Sequence, residues 1–353
     1  MPILDVQAYS LVHATTRALY AKLLPPETWE KLVGVDDYDG ILSILSKTEY
    51  APHLEIDRNL LTPRRAVYQI KWRLTHAYEK LIRQTPAPGR GLLLEMWRLY
   101  EVDNLKATLR GIETGASWNQ VLFLLFPMSR HTALTTSVLE RMVRTGDIEG
   151  AIRLIEDTPY YVTLDHALER YRLEESLFPL EVALDLDYYR RLWQDAEQLS
   201  GLDHEWAMRT VGNLIDMNNL LWAIRYRVYH RLSEEEIINY TFPFGHRVHD
   251  DDIREIASGS DIAEVVQRIY PDIAGLDESL ADPQAGLVEL ERRLKHRIIE
   301  FCRDAFSGYP FQIGIPIGFL MLAEQEIENL TVLIEAKASN LSPNVFRPLL
   351  DLP

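Results

Sequence analysis

The chain has 353 residues, of which 47% are hydrophobic and 25% are charged, as in folded globular proteins. A single core seldom grows beyond roughly 250–300 residues, so we expect more than one packing unit. The net charge of −16 repels phosphate backbones and anionic lipid headgroups. Nucleic acid is therefore disfavoured as a partner, and a basic protein surface is favoured.

Cysteine content and hydropathy restrict the compartment. The single cysteine, Cys302, excludes an internal disulfide framework and fits a reducing compartment. The first residues lack the basic start and apolar run that are typical of a signal peptide. The longest apolar run, residues 313–323, is shorter than the roughly 20 residues of a membrane-spanning helix. We therefore expect no direct membrane span.

The first elements in chain order are predicted helices. TWEKLVGVDDYDGILSIL, residues 28–45, has the pattern of a helix, a short turn and a second helix. Residues 64–84 contain neither glycine nor proline and extend the helical prediction. A central helix follows and carries the phrase EVDNLKATLR at residues 101–110.

The same order of elements then recurs twice. VLERMVRTGDIEGAIRLI at residues 138–155 and DIREIASGSDIAEVVQRI at residues 252–269 repeat the helix–turn–helix block. DMNNLLWAIR at residues 216–225 and EIENLTVLIEAK at residues 326–337 repeat the phrase of the central helix. No run alternates apolar and polar residues as a strand does, so the predicted fold class is all-α.

The two motifs recur with nearly the same period. The asparagines of the phrase are 115 and 110 residues apart, and the blocks begin 110 and 114 residues apart. This period fits a small domain and exceeds the roughly 20–50 residues of solenoid repeats. We therefore predict three similar helical domains in tandem, at residues 1–127, 128–240 and 241–353. No linker rich in glycine, serine or proline separates them, so they are expected to pack directly on each other.

One aspartate per block immediately precedes the second helix of that block. These residues are Asp37, Asp147 and Asp261. An aspartate in this position can accept hydrogen bonds from free N–H groups of the helix and suits the positive end of its dipole. Helix capping is the favoured interpretation, and a metal or partner contact is the alternative.

The repeated phrase places an asparagine close to the apolar face of a helix. Asn104, Asn219 and Asn329 each follow an acidic residue by three positions and precede a leucine. A buried amide without a partner costs about 1–3 kcal/mol, so each asparagine is expected to be hydrogen-bonded. One interpretation is that the asparagine and the acid tie the helix to a neighbour in its own domain.

The other interpretation is that three equivalent helices converge around an axis and line a shared cavity. Basic residues one or two turns beyond each asparagine could face that cavity, namely Arg110, Arg225 and Lys337, the last beside Glu335. Because the third repeat has a glutamate where the first two have arginine, strict threefold chemistry is not expected.

Two acidic clusters could hold a metal, and neither is complete. DDYD at residues 36–39 resembles half of the magnesium site of all-α enzymes that act on diphosphates, which needs a second facing cluster. HRVHDDD at residues 246–252 lacks a separate ligand motif. The chain contains no phosphate loop, dinucleotide fingerprint or nucleophile elbow. We predict no catalytic, cofactor or metal site, and keep the metal-dependent diphosphate enzyme as an alternative.

The sequence resembles the C subunit of V/A-type rotary ATPases, which is the counterpart of the d subunit of eukaryotic V-ATPases. The resemblance is carried by residues 9–50, by the three acid-x-x-Asn-Leu phrases and by AEQEIENLTVLIEAKASNLSP at residues 323–343. It covers nearly the whole chain, and the order and spacing of its short motifs make it specific. It implies three similar α-helical domains in a funnel around a pseudo-threefold axis.

The resemblance also implies a function. Members of this family are non-catalytic and cap the cytoplasmic face of the proteolipid ring, where they receive the central shaft. The expected role is a rotor adaptor that transmits torque for proton or sodium transport. The expected partners are the shaft subunits and the proteolipid ring, with the membrane stator subunit as a further candidate. The expected location is the cytoplasmic face of the membrane, where the protein would be held through the complex. The remaining alternative is a helical scaffold that is unrelated to rotary ATPases.

The residues near the asparagine phrases are the predicted partner-binding residues. They are Asn104, Arg110, Asn219, Arg225, Asn329 and Lys337.

Overall fold

The computed structural model describes residues 2–273, 275, 280 and 282–352. In this part of the chain the regular structure is helical, and none of these residues lies in a β-strand. The prediction of an all-α protein is therefore confirmed.

The α-helices are numbered in chain order. They are α1 Pro2–Tyr20, α2 Pro26–Gly34, α3 Tyr38–Leu45, α4 Ala51–Leu54, α5 Pro63–Gln84, α6 Gly89–Glu113, α7 Trp118–Leu122, α8 Thr136–Thr145, α9 Ile148–Arg153, α10 Tyr161–Glu174, α11 Phe178–Glu197, α12 Gly201–Arg225, α13 Glu234–Asn239, α14 Asp250–Ser258, α15 Ile262–Ile269, α16 Pro283–Asp304, α17 Gly314–Ala338 and α18 Pro343–Phe346. Short 3-10 turns cover Arg58–Leu60, Ala305–Ser307 and Arg347–Leu349, and a π turn covers Tyr226–His230.

The chain forms two compact units. The first contains Met1–Tyr188 together with Ile315–Pro353, and the second contains Tyr189–Gly314. The first unit is therefore discontinuous in sequence, because α17 returns to complete it. Its helix α6 packs on α5 and α8, and Tyr100 Oη on α6 donates to Glu324 Oε1 on α17 at 2.8 Å.

Aromatic residues fill the centre of the first unit around α6. Trp97 and Tyr100 contact Tyr78 of α5 and Phe126, with ring centroids 4.0–6.1 Å apart. Such offset and edge-to-face pairs add specificity to the burial of large apolar surfaces. They fix the rotation of α6 and with it the direction of Asn104.

Helix α12 is the centre of the second unit. It packs on α16, α14 and α13. Trp206 of α12 stacks on Phe301 of α16 with ring centroids 4.8 Å apart. The backbone of Gly314 approaches the Trp206 ring closely. A Cβ atom at position 314 would lie 2.7 Å from that ring. The close packing of these elements needs a residue without a side chain at position 314.

The repeated helix–turn–helix blocks form α2–α3, α8–α9 and α14–α15. The aspartate before the second helix of each block accepts a hydrogen bond from a backbone N–H of that helix. The pairs are Asp37 with Gly40 at 2.8 Å, Asp147 with Gly150 at 2.6 Å and Asp261 with Glu264 at 3.1 Å. The capping interpretation is confirmed.

The helix predicted at residues 64–84 is present as α5, which begins one residue earlier, at Pro63. Helices α5 and α16 both begin at a proline, which is favourable at the first position of a helix. Cys302 lies in α16 and is 2% exposed. No helix in the described part of the chain is both long enough and apolar enough to cross a membrane.

Candidate functional site: three buried acid–tyrosine joints

Each asparagine of the repeated phrase holds one peptide group with both ends of its amide. In every case Nδ2 donates to a backbone carbonyl, and Oδ1 accepts from the N–H of that same residue. The partner follows 22 or 23 residues later: Phe126 for Asn104, Phe242 for Asn219 and Asp351 for Asn329, at 2.6–3.0 Å. All three asparagines are at most 2% exposed. The prediction that they are hydrogen-bonded is confirmed.

The acid three positions before each asparagine accepts a hydrogen bond from a buried tyrosine hydroxyl. We call each pair an acid–tyrosine joint. The joints are Glu101 with Tyr160, Asp216 with Tyr270 at 3.4 Å and Glu326 with Tyr50 at 2.7 Å. The first and third lie in the first unit, and the second lies in the second unit. The six side chains are at most 5% exposed.

Each acid also accepts at least one backbone N–H. Glu101 accepts from Ala133 at 3.0 Å, and Glu326 accepts from Leu24 at 2.6 Å. Asp216 accepts from three successive N–H groups, those of residues 246, 247 and 248, at 2.8–3.1 Å. A carboxylate can accept about four hydrogen bonds, so these partners replace most of its lost water.

An arginine lies beside each joint. Arg73 donates to both Tyr50 and Glu326, and its side chain is 16% exposed. The guanidinium of Arg247 lies 5.5 Å from the centre of the Tyr270 ring. Burial raises the pKa values of Glu101 and Tyr160, and the nearby charge of Arg98 opposes this rise in both. Each joint therefore has a guanidinium nearby, although only Arg73 donates to its acid.

The joints are poor sites for proton transfer. Burial, and after it the negative charge of Glu326, raises the pKa of Tyr50 well above its usual value. Burial likewise raises the pKa of Tyr160 and Tyr270. The tyrosines stay protonated at neutral pH and serve as hydrogen-bond donors. Burial also raises the pKa of Glu101 and Asp216, against the opposing effect of their hydrogen bonds.

The three joints connect the predicted repeats in cyclic order. The acid of the first repeat meets the tyrosine of the second, and the acid of the second meets the tyrosine of the third. The acid of the third repeat, Glu326, meets Tyr50 of the first across 276 residues of sequence. The exchange therefore returns to its starting point.

The predicted partner-binding residues differ in their surroundings. Arg110 donates from Nε and Nη2 to both carboxylate oxygens of Glu181, at 2.6 and 2.7 Å. Lys337 is buried, donates to the Val33 carbonyl at 3.1 Å and lies over the Phe346 ring. Arg225 is half-buried, and its side chain makes no hydrogen bond or ion pair to another described residue.

Two members of the predicted set lie on helices that are linked to each other. Helices α6 and α17, which carry Asn104 and Asn329, belong to the first unit and are joined by the hydrogen bond from Tyr100 to Glu324. Burial lowers the pKa of Lys71 on α5, and the negative charges of Asp103 and Glu335 oppose this effect. On its other side α6 is joined to α11 by Lys106, which lies 2.7 Å from Asp185.

Residues of the two acidic clusters form hydrogen bonds and ion pairs with other residues of the chain. Asp37 caps α3, and Asp39 forms an ion pair with Arg58 at 2.6 Å. Asp252 accepts the N–H of His249 at 2.9 Å and pairs with Arg268 at 2.8 Å. Nowhere in the described residues do three His, Cys, Asp or Glu side chains gather as a metal site would require.

The three tyrosines are not among the residues predicted from the sequence. Tyr50, Tyr160 and Tyr270 are spaced by 110 residues each, which is the period of the repeat. The signal was therefore available in the sequence. It lies just beyond the end of each helix–turn–helix block, outside the two repeated motifs.

Similarity to known proteins extends over nearly the whole chain. Residues 12–348 match the ATP synthase (C/AC39) subunit family. The chain belongs to this family. Similar proteins include the C subunit of the A-type ATP synthase from Methanocaldococcus jannaschii, which is 23% identical over 99% of this chain and 87% of its own length.

Two further relatives have the same name. The C subunit of the A-type ATP synthase from Methanothermobacter thermautotrophicus is 24% identical, with 95% of this chain and 86% of the relative covered. The protein of that name from Archaeoglobus fulgidus is 23% identical, with 92% and 91% covered. The family resemblance drawn from residues 9–50 and 323–343 is confirmed.

Proposed function

We propose that this ATP synthase (C/AC39) subunit family member is a non-catalytic rotor adaptor of a V/A-type ATP synthase. It would connect the central shaft to the proteolipid ring and transmit torque between them. The observation that carries the proposal is the family match over residues 12–348, together with relatives named as the C subunit of A-type ATP synthases. In the DDYD cluster, on which the diphosphate-enzyme alternative depends, Asp37 caps a helix and Asp39 forms an ion pair.

The chemistry of the joints suits a part that transmits torque. Each buried carboxylate accepts from a tyrosine and at least one backbone N–H, and Glu326 also accepts from the Arg73 guanidinium. Removing one partner from a buried ionic pair costs about 3–5 kcal/mol, so the Glu326 network in particular resists displacement. The three joints stiffen the contacts between helices that are distant in sequence. An element that transfers torque needs this stiffness and needs no catalytic group.

The three domains at residues 1–127, 128–240 and 241–353 and their funnel around a pseudo-threefold axis belong to the same proposal. The cyclic order of the joints supports it, since every repeat gives its acid to one neighbour and its tyrosine to the other. An exchange that closes on itself after three steps is the expected result of three equivalent units around an axis.

The proposed partners are the shaft subunits and the proteolipid ring, with the membrane stator subunit as a further candidate. The protein would then lie at the cytoplasmic face of the membrane and be held there through the complex. Its net charge of −16 supports a basic contact surface on the shaft. If so, shaft binding should weaken steeply as salt rises, because the contact between opposite charges is screened. Affinity that is independent of salt would contradict this part of the proposal.

A binding assay with purified shaft subunits tests the proposal and the predicted contact residues. The variants are Arg225→Ala, Arg110→Ala and the control Arg144→Ala, whose side chain is 73% exposed on α8. We expect Arg225→Ala to lower the affinity and Arg144→Ala to leave it unchanged. Full-length, folded protein that captures neither shaft nor proteolipid subunits would overturn the adaptor role.

The ion pair of Arg110 needs its own control. Glu181→Gln removes the charge that engages Arg110 and leaves the guanidinium in place. If Arg110 contacts the shaft, Arg110→Ala weakens binding and Glu181→Gln does not. If both variants weaken binding equally, the pair acts by holding α6 on α11, and Arg110 is not a contact residue.

A further inference from the structure

A pocket rich in arginine lies in the second unit. Its volume is about 540 Å³, including space that opens to solvent. Its walls come from α12, from the loop before α14 and from α16. The charged and ionisable side chains that line it are Arg209, His246, Arg247, Arg297, Glu300 and Asp304.

Arg209 is the arginine in this pocket without a carboxylate partner. Its guanidinium lies over the Phe301 ring, 4.4 Å from the centroid. The guanidinium forms no ion pair or hydrogen bond with any residue that the structure describes, and the side chain of Asn213 donates to the backbone carbonyl of Arg209. Stacking orients a guanidinium and leaves its N–H donors at the edge available. Arg209 is therefore held in place with its hydrogen-bonding capacity unused.

Arg247 and Arg297 form the opposite part of the wall. Both guanidiniums lie near the Tyr270 ring, at 5.5 and 5.6 Å, and both pair with Asp272. One carboxylate thus serves two arginines and neutralises one positive charge. Because a guanidinium has five N–H donors, each arginine keeps donors that a second anion could use.

The loop that carries His246 and Arg247 is rigidly placed. The buried carboxylate of Asp216 accepts the N–H groups of residues 246, 247 and 248. A Cβ atom on Gly245 would lie 2.2 Å from Asp216 Oδ1, so the loop approaches this carboxylate closely. The pocket is therefore formed before a ligand arrives, which reduces the ordering cost of binding.

The lining of the pocket carries more positive than negative side chains although the whole chain is strongly acidic. Three arginines of the lining stand against two carboxylates, those of Glu300 and Asp304. Glu300 is paired with Arg303 on the same helix, and Asp304 is exposed at the rim.

We propose that this pocket binds a phosphate group. Planar guanidinium groups match phosphate oxygens in bidentate geometry, which makes clustered arginines the usual recognition element for this anion. Nucleobase stacking is not part of the proposal, since Trp206 and Arg209 both already pack on the Phe301 ring. The phosphate could be free inorganic phosphate or the headgroup of a lipid. This inference does not depend on the proposed function.

Titration calorimetry of the full chain with inorganic phosphate at low ionic strength tests the site. Arg209→Gln should lower the affinity about tenfold or more, as expected for loss of a hydrogen bond from a charged group. The matched control is Arg254→Gln, an arginine on α14 of the same unit that lies outside the pocket and is half-exposed. We expect this control to bind phosphate like the wild type.

A second variant works in the opposite direction. Asp304→Asn removes an exposed negative charge from the rim, so it should raise phosphate affinity a few-fold, an effect that misfolding would not produce. Flotation with phosphatidic acid vesicles, against phosphatidylcholine vesicles, separates the two sources of phosphate. Arg209-dependent binding of vesicles alone assigns the site to a lipid headgroup. Absence of saturable binding to both probes, or binding that Arg209→Gln leaves intact, overturns the proposal.

Discussion

The joint formed by Tyr50 and Glu326 gives a quantitative prediction. The Glu326 carboxylate accepts from the Leu24 N–H at 2.6 Å, from the Tyr50 hydroxyl at 2.7 Å and from the Arg73 guanidinium. Glu326→Ala leaves all three donors without their acceptor, two of them fully buried and the third 16% exposed. Removal of one partner from a buried ionic network costs about 3–5 kcal/mol.

This cost is measurable as a shift in melting temperature. One kcal/mol lowers Tm by roughly 2–4 °C in a unit of this size, so Glu326→Ala should lower it by roughly 6–20 °C in circular dichroism at 222 nm. Tyr50→Phe removes the hydroxyl that donates to Glu326 and accepts from Arg73, but Leu24 and Arg73 keep their hydrogen bonds to Glu326, so it should cost about 1–3 kcal/mol. The two variants therefore have a predicted order as well as a predicted size.

Glu335→Ala is the matched control on the same helix. Glu335 is exposed, and surface substitutions of this kind change stability by about 0.5 kcal/mol or less. If Glu326→Ala had the same Tm as Glu335→Ala, the reasoning would be refuted, because the network would then contribute nothing to stability. A Tyr50→Phe variant as unstable as Glu326→Ala would contradict the proposed division of the cost among the donors.

Three further outcomes follow from other sites. Asn219→Ala should lower the free energy of unfolding in urea by about 1–3 kcal/mol, because it leaves the buried N–H and C=O of Phe242 without partners. A stability equal to that of the wild type would contradict this role of Asn219. Burial raises the pKa of Cys302 to about 12, so at pH 8 a fraction on the order of 10⁻⁴ is thiolate, and Ellman's reagent should react only on unfolding; rapid reaction of the native protein would disprove burial. The pKa of Glu289 is held at about 2, chiefly by its hydrogen bond to Arg292; because it is below the unfolded value, its contribution is present above about pH 4.5 and lost as pH falls toward 2. Acid unfolding of Glu289→Gln should therefore show a weaker dependence on pH than the wild type, and an identical curve would refute this.

The sequence was sufficient for features that depend on local pattern. The capping role of Asp37 follows from its place before an apolar helical run, and the burial of Asn329 follows from its position beside the apolar face. Both rest on interactions within a few residues or on helical periodicity. Such features could be predicted because a helix fixes the relation between neighbouring positions.

The pairing in the joints could not be predicted, because it depends on contacts between distant segments. Glu326 and Tyr50 are 276 residues apart, and the sequence does not say which tyrosine of the repeat meets which acid. The arginine pocket has the same origin, since Arg209, Arg247 and Arg297 come from three separate elements. These sites arise from packing between helices, and sequence periodicity does not determine which residues of different helices come into contact.

The return of α17 to the first unit has a consequence for synthesis. The second unit is continuous in sequence and can close as soon as residue 314 has left the ribosome. The first unit begins earlier yet is completed later, because the carboxylate that joins Tyr50 and Arg73 is translated near the end of the message. A nascent chain that has been translated only as far as residue 314 holds all of the second unit and an incomplete first one, in which Tyr50 and Arg73 lack their carboxylate.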